Sequence, residues 1–206
     1  MSWNKESQRH RLAKYGVKTK DGQKSLSSYD GNVKTTGKPV VIVDLDGTIF
    51  DTSERYRLAS EEHNPKSPKF WDAFMDTSKI KHDKPIKNTA FFLASLKHSG
   101  ATIIYLSGRR ATLSKETRRL LDNHGYPQGK LILRPKGNNT VDFKVDNILR
   151  LRKNNNVKVY IGDDKKDEEI GKIVNVPTVR VNKNKEWSSL KRRKIIKEMG
   201  LGEKKG

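Results

Sequence analysis

Five short runs of near-continuous Val, Ile and Leu set the frame of this chain: VVIVDL (40–45), TIIYLS (102–107), KLILR (130–134), VKVYIG (157–162) and TVRV (178–181). A strand that is apolar on consecutive residues has no polar face to offer water, so both of its faces are covered, as in a parallel sheet. The segments between them read as helices. NTAFFLASLKHSG opens on a capping residue, Asn88, and stops near Gly100. TLSKETRRLLDNHG puts Leu113, Thr117, Leu120 and Leu121 on one face, while FKVDNILRLRKNN and DKKDEEIGKIV precede the fourth and fifth runs. This alternation argues an α/β fold: a doubly wound, Rossmann-like parallel sheet of about five strands with helices on both faces.

The frame occupies residues 39–182 of a 206-residue chain, enough for one core with a small appendage. Residues 1–38 are polar and basic and are expected to form a flexible arm. Residues 51–86 break the rhythm, with Pro65, Pro68 and the cluster Phe70, Trp71 and Phe74, and are expected to form a small helical cap insertion. Trp71 and Phe74, three apart, suit an apolar face packed on the core better than a base-stacking platform. Residues 183–206 carry EWSSLKRRKIIKEMG, read as a basic C-terminal helix and tail. The net charge of +20 exceeds what solubility requires and points to a polyanionic partner, for which nucleic acid is the first candidate. The absence of cysteine rules out disulfides and thiolate metal sites. No run has the length of a membrane span and the N-terminus lacks a signal-peptide core, so no membrane partner and a soluble, cytoplasmic protein are expected.

In open α/β sheets, ligands bind outside the carboxyl ends of the strands. The polar residues at those ends are Asp44, Asp46 and Thr48 after the first run, Ser107, Gly108 and Arg109 after the second, and Asp163, Asp164 and Asp167 after the fourth. Lys144 begins the helix before that fourth strand. Asp44 and Asp46, two apart, fall on one face of an extended chain. Several carboxylates stay ionised together only where a cation compensates them, and oxygen-only donors without Cys or clustered His suit Mg²⁺. A phosphate held there would meet Lys144 and the Ser107 hydroxyl. One aspartate of the pair then has the chemistry to attack phosphorus, and the other to protonate the leaving oxygen and later activate water. Asp167 reads as a first-turn helix acid as readily as a ligand. Arg109 and Arg134, at strand ends beside an anionic substrate, are candidates for phosphate contact.

In order, DLDGT, LSGR, the helical Lys144 and IGDDKKD resemble the four motifs of the haloacid dehalogenase superfamily of phosphohydrolases. The resemblance implies Asp44 as nucleophile, Asp46 as general acid and base, Ser107 and Lys144 as phosphate holders, and Thr48, Gly108, Arg109 and Arg134 around the substrate. It further implies Mg²⁺ held by Asp44, Asp46 through its carbonyl, and Asp163 or Asp164. LSGRR, LILRP, FKVDNI and the double aspartate are similar to the phosphatase domain of polynucleotide kinase-phosphatases, although Lys165 stands where those proteins usually carry arginine. The function this implies is removal of 3′-phosphates from nucleic-acid ends through an aspartyl-phosphate, with no kinase half. A small-molecule phosphatase or nucleotidase is the alternative, and a nucleic-acid-binding protein that keeps the fold is a reading from another class. GNVKTTGKP (31–39) misses the P-loop spacing, and DLDGTIFDTSER misses the EF-hand pattern.

Overall fold

The computed structural model describes residues 37–201. Residues 1–36, nearly all of the expected N-terminal arm, and 202–206 lie outside the described residues. β1 (Pro39–Val43) is the middle strand of a five-stranded, wholly parallel sheet. Its neighbours are β4 (Thr102–Arg110) and β6 (Asn156–Gly162), with β5 (Lys130–Arg134) and β7 (Thr178–Arg180) at the edges. The order β5-β4-β1-β6-β7 reverses on either side of β1, which places the topological switch at that strand's carboxyl end.

β1 is apolar throughout because both its faces are covered. Val41, Val43 and Leu45 enter one core, with Phe92, Leu93, Leu96, Leu120, Leu121, Trp187 and Ile195. Val40 and Ile42 enter the other, with Val145, Ile148, Ile170 and Val174. The first core is built by α4 (Thr89–His98), α5 (Ser114–Asn123) and α8 (Ser189–Met199). The second is built by α6 (Thr140–Asn154) and α7 (Lys165–Val174). Val41, Ile42 and Val43 are fully buried, each worth roughly 1.5–3 kcal/mol. That burial holds the strand end rigidly enough to carry buried carboxylates just beyond it.

A two-stranded antiparallel ribbon, β2 (Phe50–Asp51) with β3 (Lys84–Pro85), closes the neck of the insertion. Between them lie α1 (Ser53–Glu62), α2 (Pro68–Phe74) and α3 (Thr77–Ile80). Ser67 caps α2 by accepting from the Phe70 N–H, with Pro68 in the first turn, where its missing N–H costs nothing. Ala59, Phe70, Ala73 and Phe74 form a separate small core. Trp71 packs edge-on against Phe70 and Phe74 yet remains 50% exposed, so only Phe74 of the expected pair is buried.

Two local expectations shift. Asn88 precedes α4 with φ 63° and makes no capping bond; its side-chain amide donates to Glu186 (2.5 Å). β4 extends to Arg110, three residues past the expected end, with an irregular register between Ser107 and Arg110. Among the described residues no helix is long and apolar enough to cross a membrane.

Candidate active site

The DLDGT segment leaves β1 as a tight turn in which the Leu45 carbonyl accepts from the N–H groups of Thr48, Ile49 and Phe50 (3.2, 3.0 and 3.0 Å). Strand pairing ends at Val43, so Asp44 and Asp46 do not share the face of a regular strand as the alternation suggested. Gly47 has φ +77°, and a Cβ there would sit 2.5 Å from Asp163 Oδ2. Only glycine lets the turn form and lets the Asp163 carboxylate approach it. Thr48 is fully buried and donates to Asp163 Oδ1 (3.1 Å), while its carbonyl accepts from Trp187 Nε1 (2.9 Å). Expected beside the substrate, Thr48 is instead the residue that orients Asp163.

Asp44 is buried. Its Oδ1 accepts from the Leu45 N–H (2.8 Å) and its Oδ2 from Lys144 Nζ (2.9 Å). Lys144 stands one turn into α6, which Asn139 caps by accepting from the N–H groups of Val141 and Asp142. Its ammonium also donates to Asp167 Oδ1 and the Tyr160 hydroxyl, both at 2.9 Å. Burial pushes the Asp44 carboxyl up; Lys144 pulls against this, Asp167 and Asp163 add to it, and the result is about 7. Asp163 is likewise raised by burial and by Asp167. Burial opposes the charge on Lys144, but Asp167 and Asp44 outweigh it and hold the lysine charged.

Carboxylate oxygens of Asp44, Asp163 and Asp167 lie within 4.8 Å of one another. Asp164, expected as a ligand, is outside this group. It is exposed and serves as the N-cap of α7, accepting from the Lys166 N–H (3.0 Å), while Asp167 Oδ2 accepts from the Asp164 N–H (3.1 Å). That capping box turns Asp164 outward and Asp167 inward. Gly162 permits it, because a Cβ there would collide with the Asp167 carboxylate.

Asp46 sits in the opposite electrostatic setting. Its Oδ1 accepts from Arg55 Nη2 (2.5 Å) and from Arg109 Nε and Nη2 (2.9 and 2.6 Å). Burial pushes its carboxyl up, but Arg109 and Arg55 together overcome that and hold it at about 2. Arg109, expected to meet substrate, is fully buried and committed to Asp46, Asp83 and Thr117. Ser107 Oγ accepts from the Arg109 N–H (3.2 Å), which leaves the hydroxyl proton free to be donated elsewhere. Arg134 donates to the carbonyls of Gly108 (3.1 Å) and Asn138 (2.5 Å), bracing the irregular end of β4 that presents Ser107, and Gly108 packs against Thr140. Thus the structure brings together Asp44, Asp46, Ser107, Lys144 and Asp163. It gives Thr48, Arg109 and Arg134 supporting positions and leaves Asp164 outside.

Three members of this cluster carried no sequence signal. Arg55 and Asp83 lie in the insertion at no motif spacing, and Tyr160 reads as one more apolar strand residue. Lys183 is a fourth: its side chain lies against the Gly47 turn and its charge draws the Asp163 carboxyl down.

A cation fits this donor set. All the donors are oxygens, and the Asp44 and Asp163 carboxyls are pushed up by burial and by their acidic neighbours, the condition a divalent ion relieves.

Among solved structures, a chain of the Pnkp1/Rnl/Hen1 RNA repair complex superposes with a TM-score of 0.58 at 20% identity, over 81% of this chain and 48% of that one. The class C acid phosphatase of Bacillus anthracis gives 0.53 at 19% identity, over 78% and 63%. A hydrolase from Streptococcus pneumoniae gives 0.53 at 16%, over 79% and 100%. The chain therefore spans about half to two thirds of the first two, and at these identities the likeness is one of fold. A search of curated proteins returns no match. The family model for HAD superfamily, subfamily IIIB (acid phosphatase) matches residues 6–188, most of the sequence and the whole of the cluster just described. The chain belongs to the haloacid dehalogenase (HAD) superfamily, subfamily IIIB.

Proposed function

We propose that the protein is a phosphomonoesterase that works through a phosphorylated Asp44 and takes small phosphomonoesters, nucleoside monophosphates among them. The observation that carries this reading is the split between the two aspartates: Asp44 against Lys144 and the acidic cluster, Asp46 between two arginines. In this reading an Asp44 carboxylate oxygen attacks phosphorus as the bond to the leaving oxygen breaks, and Asp46 Oδ2, ionised at rest between its two arginines, relays a proton from solvent to that oxygen. Water, deprotonated by Asp46, then attacks phosphorus and frees Asp44. Lys144 and the Ser107 hydroxyl hold the nonbridging oxygens as charge moves between them. Asp44, Asp163 and Asp167, with the Asp46 carbonyl, would hold Mg²⁺. When bound, Mg²⁺ supplies positive charge to the phosphate oxygens. The subfamily IIIB match supports the small-substrate reading over the polynucleotide end.

A second reading, the 3′-phosphorylated end of a nucleic acid, is favoured by charge. The chain carries +20, Lys183 stands at the rim, and the outer face of α8 forms a hollow of about 460 Å³ lined by Leu190, Lys191, Arg193, Lys194 and Lys197. The test is phosphate release with Mg²⁺ from nucleoside monophosphates, an aryl phosphate and a 3′-phosphorylated oligonucleotide. Release from the small esters, lost in Asp44→Asn, is the expected result. Release confined to the oligonucleotide would select the second reading, and an Asp44→Asn protein of normal rate would overturn both.

A further inference from the structure

Asp83 closes the insertion just ahead of β3, and nothing in its sequence setting marks it. Its carboxylate is fully buried between two guanidinium groups, with Oδ2 accepting from Arg109 Nη2 (2.6 Å) and Oδ1 forming an ion pair with Arg55 Nε (2.9 Å). Those same arginines converge on the single oxygen Oδ1 of Asp46. Burial pushes the Asp83 carboxyl up to about 7 against the pull of Arg109 and Arg55; ionised, it closes a neutral ring of four charges, Asp46–Arg55–Asp83–Arg109, in which only Asp46 has exposed side-chain surface (22%). All side-chain hydrogen bonds to Asp46 among the described residues fall on Oδ1, so Oδ2 is the oxygen left to face the reacting groups.

We propose that Asp83 is a positioning residue for proton transfer, the counter-charge that lets Arg55 and Arg109 close together on Asp46 Oδ1 and so aims Oδ2 at the scissile oxygen. Two buried guanidinium groups meeting at one carboxylate oxygen repel each other, and a single aspartate neutralises only one of them. Asp83 supplies the second negative charge from the far side. Each arm comes from a different part of the fold: Arg55 from α1, Arg109 from β4, Asp83 from the end of the insertion. Arg55 also lies over the Phe74 ring, 4.1 Å from its centroid, so the ring of charges ties the insertion's own core to the proton-transfer group. The insertion thereby holds Asp46 in place.

The inference rests on the reading of Asp46 as the proton-transfer group, and the test separates the two. kcat/KM is measured for the Mg²⁺-loaded enzyme over a series of phosphomonoesters whose leaving groups run from nitrophenols, which need no proton, to simple alcohols, which do. Asp83→Asn, which keeps shape and removes charge, is expected to lose about 10–100-fold more activity on alkyl than on nitrophenyl phosphates, a fraction of what general acid catalysis contributes. Asp46→Asn is expected to show the same steepening in full. A loss in Asp83→Asn that is uniform across the series, beside a steepened Asp46→Asn, would overturn the positioning role and leave a merely structural one. A uniform loss in Asp46→Asn would remove the reading of Asp46 and this proposal with it. Asp83→Ser, which removes the charge with a smaller side chain, covers the case in which Asp83→Asn does not fold. A folded Asp83→Ser with an unchanged leaving-group slope refutes the proposal as well.

Discussion

Lys144→Met removes the one buried ammonium from a cluster of three carboxylates while keeping an unbranched side chain of similar length. Lys144 is 5% exposed, and its Nζ makes three bonds of 2.9 Å, to Asp44, Asp167 and Tyr160. Deleting one partner of a buried pair costs roughly 3–5 kcal/mol, because the other charge is left uncompensated in a medium that solvates it poorly. Methionine fills most of the space, so the cavity contribution is small beside that. In a domain of this size each kcal/mol moves Tm by about 2–4 °C, giving an expected drop of roughly 6–20 °C in buffer with EDTA. Magnesium should recover part of it. In the native protein Mg²⁺ would share Asp44 with Lys144; in the variant it would be the only cation inside the carboxylate cluster. An ion at a hundred times its Kd stabilises by about 2.7 kcal/mol, so the Mg²⁺-induced rise in Tm should be several degrees and larger in the variant than in the native protein. Scanning calorimetry with EDTA and with Mg²⁺ reads all four values. A variant within about 1 kcal/mol of native in EDTA, or an equal Mg²⁺ response in both proteins, would refute the account of Lys144 as the compensating charge.

Asp46 provides a pH test. Its carboxyl is lowered from 3.8 to about 2 in the fold, so its ionised form contributes stability that is present above pH 4 and lost as pH falls towards 2. The contribution is on the order of 2 kcal/mol, and Asp46→Asn should flatten that part of the acid-unfolding curve; an unchanged slope between pH 4 and 2 would count against the arginine clamp. Lys183 tests the second reading of substrate. Lys183→Ala should, if an oligonucleotide binds at the rim, reduce the salt slope of its binding by about one. Equal salt slopes would return Lys183 to the solvated surface.

The sheet was legible because its physics is local to each strand. A strand buried on both faces has to be apolar at consecutive positions, and Val40–Val43, Ile103–Leu106 and Val159–Ile161 are all buried. The cluster was legible where chemistry forces residue type at short spacing, as in the DLDGT turn, or where a strand end delivers a group by topology. It was not legible where a residue acts through a partner distant in sequence. Thr48 and Arg109 stand at motif positions, yet their partners Asp163 and Asp83 are 115 and 26 residues away. Asp164 misled for a local reason. Two adjacent aspartates at a helix start look equivalent in sequence, but capping consumes one of them and Asp163 and Asp167 go inward.

Two aspartates separated by one leucine end up with opposed electrostatics because the chain stops being a strand between them. Asp44, still anchored by its N–H to the Ile161 carbonyl at the end of β6 (2.9 Å), is turned towards α6 and the lysine there. Asp46 lies within the turn, and its carboxylate is turned towards the insertion and the strand beyond it, where two arginines wait. Burial raises the carboxyl of both; what differs is the surrounding charge, one lysine shared among three carboxylates against two arginines shared between two. In the proposed reaction, a nucleophile that must lose charge to phosphorus and a proton carrier that must keep its aim require those different settings. The fold provides them from its two sides, the sheet's own helices for Asp44, and the insertion together with β4 for Asp46. A substitution in the insertion should therefore reach catalysis first through the leaving-group proton and only afterwards through attack on phosphorus.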